Sequence, residues 1–551
     1  MDYLPAQALA DAGASVAPAG GDPVATSDAR PPADAVLGEV CSADLNIALV
    51  ARWAEDAGKP QLAEHLRALG CRRAFRRTFM RRDRSPQRTV RTTRVSAGVL
   101  RQLRDTELCE PVPSSRRVEY VSKLKLVPKR GSEAHLWRVI LATVELNDAC
   151  LEPPRAPIPS LRDVIDGVLR GSWAVVGDLR SWFFQFAVAR SVSQVAFVFD
   201  IRGKLYSFTR MPMGWRWAPY IATATSQLIW QRAASGARYA TVWIDDSIVS
   251  VDTQAEASAT RDRLARECAA VNAVMKRWDV SQRFVYVGME FDLMARRARL
   301  SDAFVISFGE CVRRLSSPYS LSAAWSAAGG AVWAAYAMRW AYAPLASILA
   351  DIATAHAEGV RPFDAFAMSQ RHVDMLSAVK DKVAEREWFA PYWTPVARSV
   401  VASDASPYGL GFIINGGVER AVPFQLPRCD HRIQQRVEAI AALAALRELQ
   451  APPHSEVILL TDNSGLAYRL ARWSAPPCLA DVVCEIWRLC ATRRWRLRVG
   501  WIPGDSMPAD ALSRSDVPVL RPSSVSLLNL VAGAFFPPGA GSVQPVPLPF
   551  V

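Results

Sequence analysis

The chain has 551 residues, half of them hydrophobic and 22% charged, with a formal net charge of +13. That length exceeds one ordinary domain, and the composition excludes disorder along the whole chain. The positive balance suits a polyanionic partner, nucleic acid being the commonest, and equally suits a merely basic surface. Ten cysteines form no Cys-x-x-Cys pair, and six histidines are dispersed. Cys478, Cys484 and Cys490 stand six apart, which matches neither zinc-ribbon nor finger spacing, so reduced thiols in an intracellular protein are expected. The opening Met1-Asp2-Tyr3-Leu4-Pro5 lacks the charged and apolar regions of a secretory signal. The apolar stretch Ala331 to Ala350 is broken by Arg339 and Pro344, so it reads as packed helix and not as a membrane span.

In chain order, residues 1 to about 37 are rich in Ala, Pro, Gly and Asp, and are expected to be disordered. A helical stretch follows from Ala43 to Leu69. Next comes a basic run with Arg72, Arg73, Arg76, Arg77, Arg81, Arg82, Arg84, Arg88, Arg91 and Arg94. It suits a solvated segment or localisation signal as well as a phosphate-contacting arm. Residues 1–116 are read as an N-terminal extension. From 117 to 310 short β-rich runs alternate with helical patterns, and from 311 to 395 the pattern is helical, with Trp325, Trp333 and Trp340. From 396 to 516 the order reads strand, strand, helix, strand, helix, helix, strand. The Pro-rich tail, 517–551, is expected to be disordered.

The sharpest local feature is Tyr239-Ala240-Thr241-Val242-Trp243-Ile244-Asp245-Asp246-Ser247-Ile248-Val249-Ser250-Val251. Both flanks have the composition of buried strands, with Asp-Asp as the two-residue turn between them. Neighbouring carboxylates repel, and a divalent cation removes that cost. Taken alone, an exposed acidic turn explains the segment as well. Upstream, Trp173-Ala174-Val175-Val176-Gly177-Asp178 is a strand ending in a lone acid, followed by the aromatics Trp182, Phe183 and Phe184. Between the two lies a Pro/Gly turn, Arg210-Met211-Pro212-Met213-Gly214-Trp215-Arg216-Trp217-Ala218-Pro219, which leads into a helical run to Arg232.

In this order and at these spacings, the three segments resemble the palm of a reverse transcriptase. Leu126-Val127-Pro128-Lys129, Leu136-Trp137-Arg138-Val139-Ile140 and Glu145-Leu146-Asn147 resemble its fingers. Phe284-Val285-Tyr286-Val287-Gly288-Met289-Glu290-Phe291 resembles the hairpin that grips the primer end. The resemblance implies a right-hand polymerase of fingers, palm and thumb. Asp178, Asp245 and Asp246 would hold two Mg²⁺ or Mn²⁺ ions, with Asp246 in a supporting role. Lys129 and Arg138 would face the triphosphate, with Met213 and Gly214 in the nucleotide loop. Phe183, fifth after Asp178, would exclude a ribose 2′-hydroxyl; without the motif it reads as a core aromatic. The chain departs from the family at Trp243, where Tyr is usual, and at Met213, Ala142 and Val144.

A second set of acids lies further on. Asp404 falls within the strand-turn-strand run Ser399 to Ile413, and Glu438 sits on an amphipathic helix of about Arg432 to Leu449. Asp462 ends Glu456-Val457-Ile458-Leu459-Leu460-Thr461, where capping the next helix is its ordinary role. Asp510 lies in Trp501-Ile502-Pro503-Gly504-Asp505-Ser506-Met507-Pro508-Ala509-Asp510-Ala511-Leu512-Ser513-Arg514. One acid per segment resembles the Asp-Glu-Asp-Asp set of an RNase H-like α/β domain, again with two ions. The histidine many such enzymes carry upstream of the last acid is missing; Gly500 and Trp501 stand there.

The implied class is α+β and multidomain. Its expected partners are RNA template, DNA primer, RNA–DNA hybrid and deoxynucleoside triphosphates. The linked motifs and the Ala-Asp-Ala-Leu-Ser-Arg ending resemble DIRS-like tyrosine-recombinase retrotransposons of the VIPER type. A derivative that binds nucleic acid without catalysis is the alternative, and a template-independent terminal transferase is a third.

Overall fold

The computed structural model describes residues 35–38, 43–81, 92–93, 95–128, 136–154, 156–315, 319–340, 343–390, 395–424 and 431–522. Lys129 and Arg82, Arg84, Arg88, Arg91 and Arg94 lie outside these residues. The chain is mixed α/β and divides into two compact units, one spanning 18–295 and one built on 296–551.

In the first unit the helical stretch before the basic run is two helices, α1 (Ile47–Asp56) and α2 (Pro60–Ala68). The break falls at Gly58, whose φ of +69° is the left-handed conformation glycine adopts freely, followed by Pro60, which starts α2 without needing an N–H donor. The first arginines of the basic run form α3 (Arg72–Phe79), which buries Phe75 and Phe79.

Seven strands make a connected sheet: β1 (Val36–Leu37), β2 (Thr92–Thr93), β3 (Cys109–Pro111), β4 (Val121–Pro128), β5 (Leu136–Ala142) and, further along, a pair described below. The strand β6 (Trp173–Leu179) belongs to a second sheet. The pair that completes the first sheet is β7 (Val198–Ile201) and β8 (Lys204–Phe208), giving the order β1-β5-β4-β7-β8-β3 with β2 beside β7. The second sheet is four-stranded, ordered β11-β6-β10-β9, with β9 (Tyr239–Trp243), β10 (Asp246–Val251) and β11 (Met275–Ser281). All of its pairings are antiparallel. A hairpin, β12 (Arg283–Tyr286) with β13 (Met289–Asp292), follows, turning through Val287 and Gly288, both at positive φ.

Val175 and Leu179 of β6 enter the unit's core together with Val242 and Val249. Side chains alternate across a strand, so Asp178 falls on the other face of β6 from Val175 and Leu179. The helix α4 (Ala218–Ala233) buries Ile221, Leu228, Ile229 and Trp230 in the same core. Its N-terminus follows the Pro/Gly turn that the sequence marks.

In the second unit, the stretch Ala331 to Ala350, expected as packed helix, is helical at its two ends. α5 (Leu321–Ala337) buries Trp333 and a run of alanines, and α6 (Ala346–Ala357) follows. No helix among the described residues is long and apolar enough to cross a membrane.

The unit's six-stranded sheet is built on β14 (Arg398–Ser406), β15 (Gly409–Ile414), β16 (Val418–Pro423), β17 (Glu456–Thr461), β18 (Arg496–Trp501) and β19 (Val519–Arg521), in the order β18-β17-β14-β15-β16-β19. β14, β17 and β18 are mutually parallel neighbours, and the rest are antiparallel. The helices α7 (His431–Glu448), α8 (Ser464–Arg472), α9 (Pro477–Thr492) and the single turn α10 (Asp510–Ser513) complete it.

Three features depart from the expected order of this region. β16 carries no legible alternation, because its burial does not follow polarity: Glu419 is buried while Val418 and Val422 are exposed. The four-residue α10 is too short for a periodic pattern to show. The tail, expected to lack order from 517, supplies β19, which pairs with β16 and carries an Arg521–Glu419 ion pair at 2.7 Å.

Candidate active sites

The first cluster is fixed by strand register. Asp246 opens β10 and lies directly opposite Asp178 of β6. Directly opposed residues of an antiparallel pair project their side chains to one face, so the two carboxylates share a side of the sheet. The hairpin turn is not Asp245-Asp246, as the sequence suggests, but Ile244-Asp245, because Trp243 pairs with Asp246. Ile244 has a φ of +62°. A β-branched residue in the left-handed region is strained by about 1–3 kcal/mol, a cost characteristic of functional sites.

The surroundings hold this turn. The Ile244 carbonyl accepts from Ser226 Oγ of α4 at 2.8 Å, and the Asp245 carbonyl accepts from Leu179 N at 3.1 Å. The buried Tyr286 hydroxyl donates to the Asp246 carbonyl at 3.3 Å. Gly177, next to Asp178, admits the neighbouring strand, since a Cβ there would sit 2.9 Å from the Trp278 ring and 3.0 Å from Ser247 Oγ.

Burial, then the charge of Asp178, pushes the Asp245 carboxyl up to about 6; its own and Asp246's backbone N–H groups and the Arg138 guanidinium oppose the rise. Asp246 is held well above the usual carboxylate range by desolvation and by the charges of Asp245 and Asp178. Acids so placed are stabilised by a nearby cation. One comes from the chain itself. A register shift between Met275 and Arg277 makes Lys276 the extra residue of a bulge in β11, and its Nζ lies 3.6 Å from Asp178 Oδ2. Bulges re-aim side chains in this way. The sequence reading missed Lys276, whose signal is a lone lysine entering a strand beside the acid.

Arg138 is exposed on β5, close enough to act on Asp245. Its strand is docked on the Pro/Gly loop, where Leu141 N donates to the Met213 carbonyl at 3.0 Å. The Gly214 carbonyl accepts from Thr143 Oγ1 and Asn147 Nδ2, each at 2.8 Å. Only glycine fits here: φ is +109°, and a Cβ would meet the Leu141 carbonyl oxygen at 2.1 Å. Met213 and Phe183 are half-buried and packed against the core. Phe183 lies in a 3-10 turn, Trp182–Gln185, anchored by the fully buried Gln185, which bonds the Arg180 and Val274 carbonyls and the Val274 N–H.

The second cluster is tighter. Ala402 pairs with Leu460 in parallel register, so two residues further on Asp404 and Asp462 fall side by side. Glu438 comes from α7. Ligand oxygens of Asp404, Glu438 and Asp462 lie within 4.8 Å of one another, the one such group among the described residues. Asp404 and Glu438 are buried. Burial, then the charges of Asp404 and Asp462, pushes Glu438 up to about 9. Gln434 donates to one Glu438 oxygen at 3.1 Å, while the other, Oε2, is buried without a hydrogen-bond partner. An unsatisfied buried carboxylate oxygen among acids, with only hard oxygen donors around it, fits a small divalent cation such as Mg²⁺. The capping role open to Asp462 belongs to Asn463, whose Oδ1 accepts from Leu466 N at 2.9 Å. The Trp501 indole donates to the Asp462 carbonyl at 2.7 Å.

Asp510 reaches this cluster because β15 carries Gly409 and Gly411. A Cβ on Gly411 would come within 2.5 Å of the Ala509 carbonyl oxygen and of Ser513 N, so α10 packs directly on strand backbone. Burial first, and the charge of Asp510 in smaller part, raises the carboxyls of Asp404 and Asp462. Ser513, fully buried, bonds Asp404 Oδ2 through its hydroxyl, which also lies 2.9 Å from the Asp510 carbonyl. Asp510 is itself paired with Arg514, Nη2 to Oδ1 at 2.8 Å and Nε to Oδ2 at 3.0 Å. The sequence reading quoted Ser513 and Arg514 as part of an ending without a role; their spacing of three and four from Asp510 on a helical turn is the signal.

No family model matches the sequence, and no curated protein matches it. Among solved structures, the foamy viral protease-reverse transcriptase in complex with RNA/DNA hybrid aligns at 15% identity and a TM-score of 0.47, over 84% of this chain and 64% of that one. In complex with dsDNA it aligns at 13% identity and a TM-score of 0.44, over 85% and 99%.

Proposed function

We propose that this chain is an RNA-directed DNA polymerase with a second centre that cleaves RNA in the resulting hybrid, serving to copy a retroelement RNA into DNA. The observation that carries the reading is the register that sets Asp178 opposite Asp246 and beside Asp245, in the order the palm motifs imply. Asp178 and Asp245, with Asp246 in support, would hold Mg²⁺ or Mn²⁺ at the first centre. Asp404, Glu438, Asp462 and Asp510 would hold the ions of the second. Paired cations in such sites lower the pKa of an attacking oxygen and neutralise the departing one.

The chain's own groups do the rest. Arg138 offers a guanidinium on the triphosphate side of Asp245, with Lys129 proposed beside it. The Met213-Gly214 loop, braced by Asn147, sets the floor for the nucleotide, and Phe183 screens its sugar. The strained Ile244-Asp245 turn, clamped by Ser226, presents Asp245. At the second centre, Gln434 and Ser513 orient Glu438 and Asp404, and Gly411 lets Asp510 close the set. Hybrid would be gripped by backbone and shape, with little sequence preference. The motif spacing and the Ala-Asp-Ala-Leu-Ser-Arg ending support a DIRS-like element as the source.

The test is deoxynucleotide incorporation on a primed homopolymer RNA with and without Mg²⁺. Asp245→Asn should lower the rate at least about a thousandfold, the scale of several kcal/mol of lost charge stabilisation. Equal rates for Asp245→Asn and the wild type would end the polymerase reading.

A further inference from the structure

The first unit carries a basic groove that neither acidic centre uses. It is bounded by the segment from Pro111 to Glu119 and by the turn joining β7 to β8, and it is open, with a volume of about 640 Å³. Arg116, Arg117 and Lys204 line it, and Arg202 stands beside them at the same turn. Among the described residues none of these four side chains has a carboxylate partner, and Arg116 Nε is buried with no hydrogen bond.

The nearby acids Glu119 and Asp200 are both buried. Glu119 is held by Arg72 at 2.6 Å and Arg76 at 3.0 Å, and Asp200 accepts from Gly203 N at 3.1 Å. Several other surface arginines of the unit are matched, among them Arg67 with Glu55, Arg232 with Glu267 and Arg238 with Asp252.

The groove is also pre-shaped. Val112 N donates to the Leu205 carbonyl at 3.0 Å, Arg116 N to the Pro113 carbonyl at 2.9 Å, and Tyr120 N to the Val195 carbonyl at 3.1 Å, so the segment is tied at both ends. Four unneutralised cations on a rigid wall repel one another, a cost that a polyanion reverses.

We infer that this groove binds the phosphodiester backbone of a single-stranded nucleic acid at a site separate from the acidic centres. The inference rests on the functional reading only for its choice of nucleic acid as the polyanion. Backbone phosphates are recognised by charge and not by base, so the site takes RNA and DNA strands of any sequence.

The test is equilibrium binding of a fluorescent single-stranded RNA and of the matching DNA to the full chain across a salt series, with no metal or nucleotides present. Binding is thus read whether or not the chain polymerises. Each phosphate contact on a single strand contributes about 0.7 to the slope of log affinity against log salt. The fourfold variant Arg116→Gln, Arg117→Gln, Arg202→Gln, Lys204→Gln should flatten that slope by about 3. A charge-matched control, Arg67→Gln, Arg238→Gln, Arg261→Gln, Arg488→Gln, removes four ion-paired surface arginines and should flatten it by less than about 1.

If the partly buried Arg116 proves necessary for folding, the exposed set Arg117→Gln, Arg202→Gln, Lys204→Gln should still flatten the slope by about 2. Equal slopes for variant and control would overturn the site. Loss of poly-glutamate binding as large as the loss of RNA binding would overturn the nucleic acid as its ligand. A deficit for only one of RNA and DNA would overturn recognition through the shared backbone.

Discussion

At the residue scale, the two clusters differ in how their acids are restrained. In the four-stranded sheet of the first unit Asp178 and Asp245 are half-buried, Asp246 is exposed, and Lys276 and Arg138 offset their charge. In the second unit Glu438 is buried with one oxygen unsatisfied, which makes it the most sensitive reporter of a bound cation. Its carboxyl, up to about 9, keeps its proton in the folded, metal-free chain at pH values where the unfolded chain has released it. The folded state then binds more protons, so stability of the metal-free protein falls as pH rises from the ordinary carboxylate value toward about 9.

The same proton must leave before a cation binds, so Mg²⁺ should raise the melting temperature more at about pH 8.5 than at about pH 6. Glu438→Gln should abolish that difference and raise the metal-free melting temperature at the alkaline end by about 2–4 °C. An unchanged Mg²⁺ response in Glu438→Gln would remove Glu438 from the site. Phe183 makes a separate prediction: Phe183→Val should erode discrimination against ribonucleotides by about tenfold or more. Single-nucleotide incorporation with paired deoxy and ribo substrates checks it, and unaltered discrimination would return Phe183 to the role of a packed aromatic.

At the element scale, close approach between backbones does the positioning. Gly411 is the clearest case: Gly411→Ala would press a Cβ into Ala509 and Ser513 and lift α10, with Asp510, away from Asp404. Hybrid cleavage should fall by about a hundredfold while deoxynucleotide incorporation stays within about twofold, and equal loss of both would point to a folding defect.

This scale also shows what the sequence could and could not convey. β6, β9, β10, β14 and β17 were legible because buried strands are written in β-branched and apolar residues, here with acids at or near their ends. α7 was legible from its periodicity. The turn at Ile244-Asp245 was not, since pattern favours Asp-Asp there and only the pairing of Trp243 with Asp246 shifts it by one residue. α10, β16 and β19 were hidden because elements this short or half-exposed carry no periodic signal, and tertiary contact decides them. Lys276 owes its place to a bulge, which sequence does not mark.

At the scale of the whole molecule, an excess of positive charge coexists with two sets of crowded acids in two separately packed units. Local repulsion of that kind persists where a ligand cation offsets it. The groove lined by Arg116, Arg117 and Lys204 gathers part of that excess in one place. The placement of the two clusters in different units predicts that the two proposed activities can be removed one at a time.

The most direct measurement follows one labelled RNA template through Mg²⁺-dependent copying and then through release of RNA fragments from the hybrid, using the wild type, Asp245→Asn and Asp404→Asn. The wild type should do both. Asp245→Asn should fail to copy yet cut a hybrid supplied ready-made, and Asp404→Asn should copy and leave the RNA intact. Copying by Asp245→Asn at the wild-type rate, or no Mg²⁺-dependent reaction in the wild type at all, would contradict the assignment of these acids to cation-assisted phosphoryl chemistry.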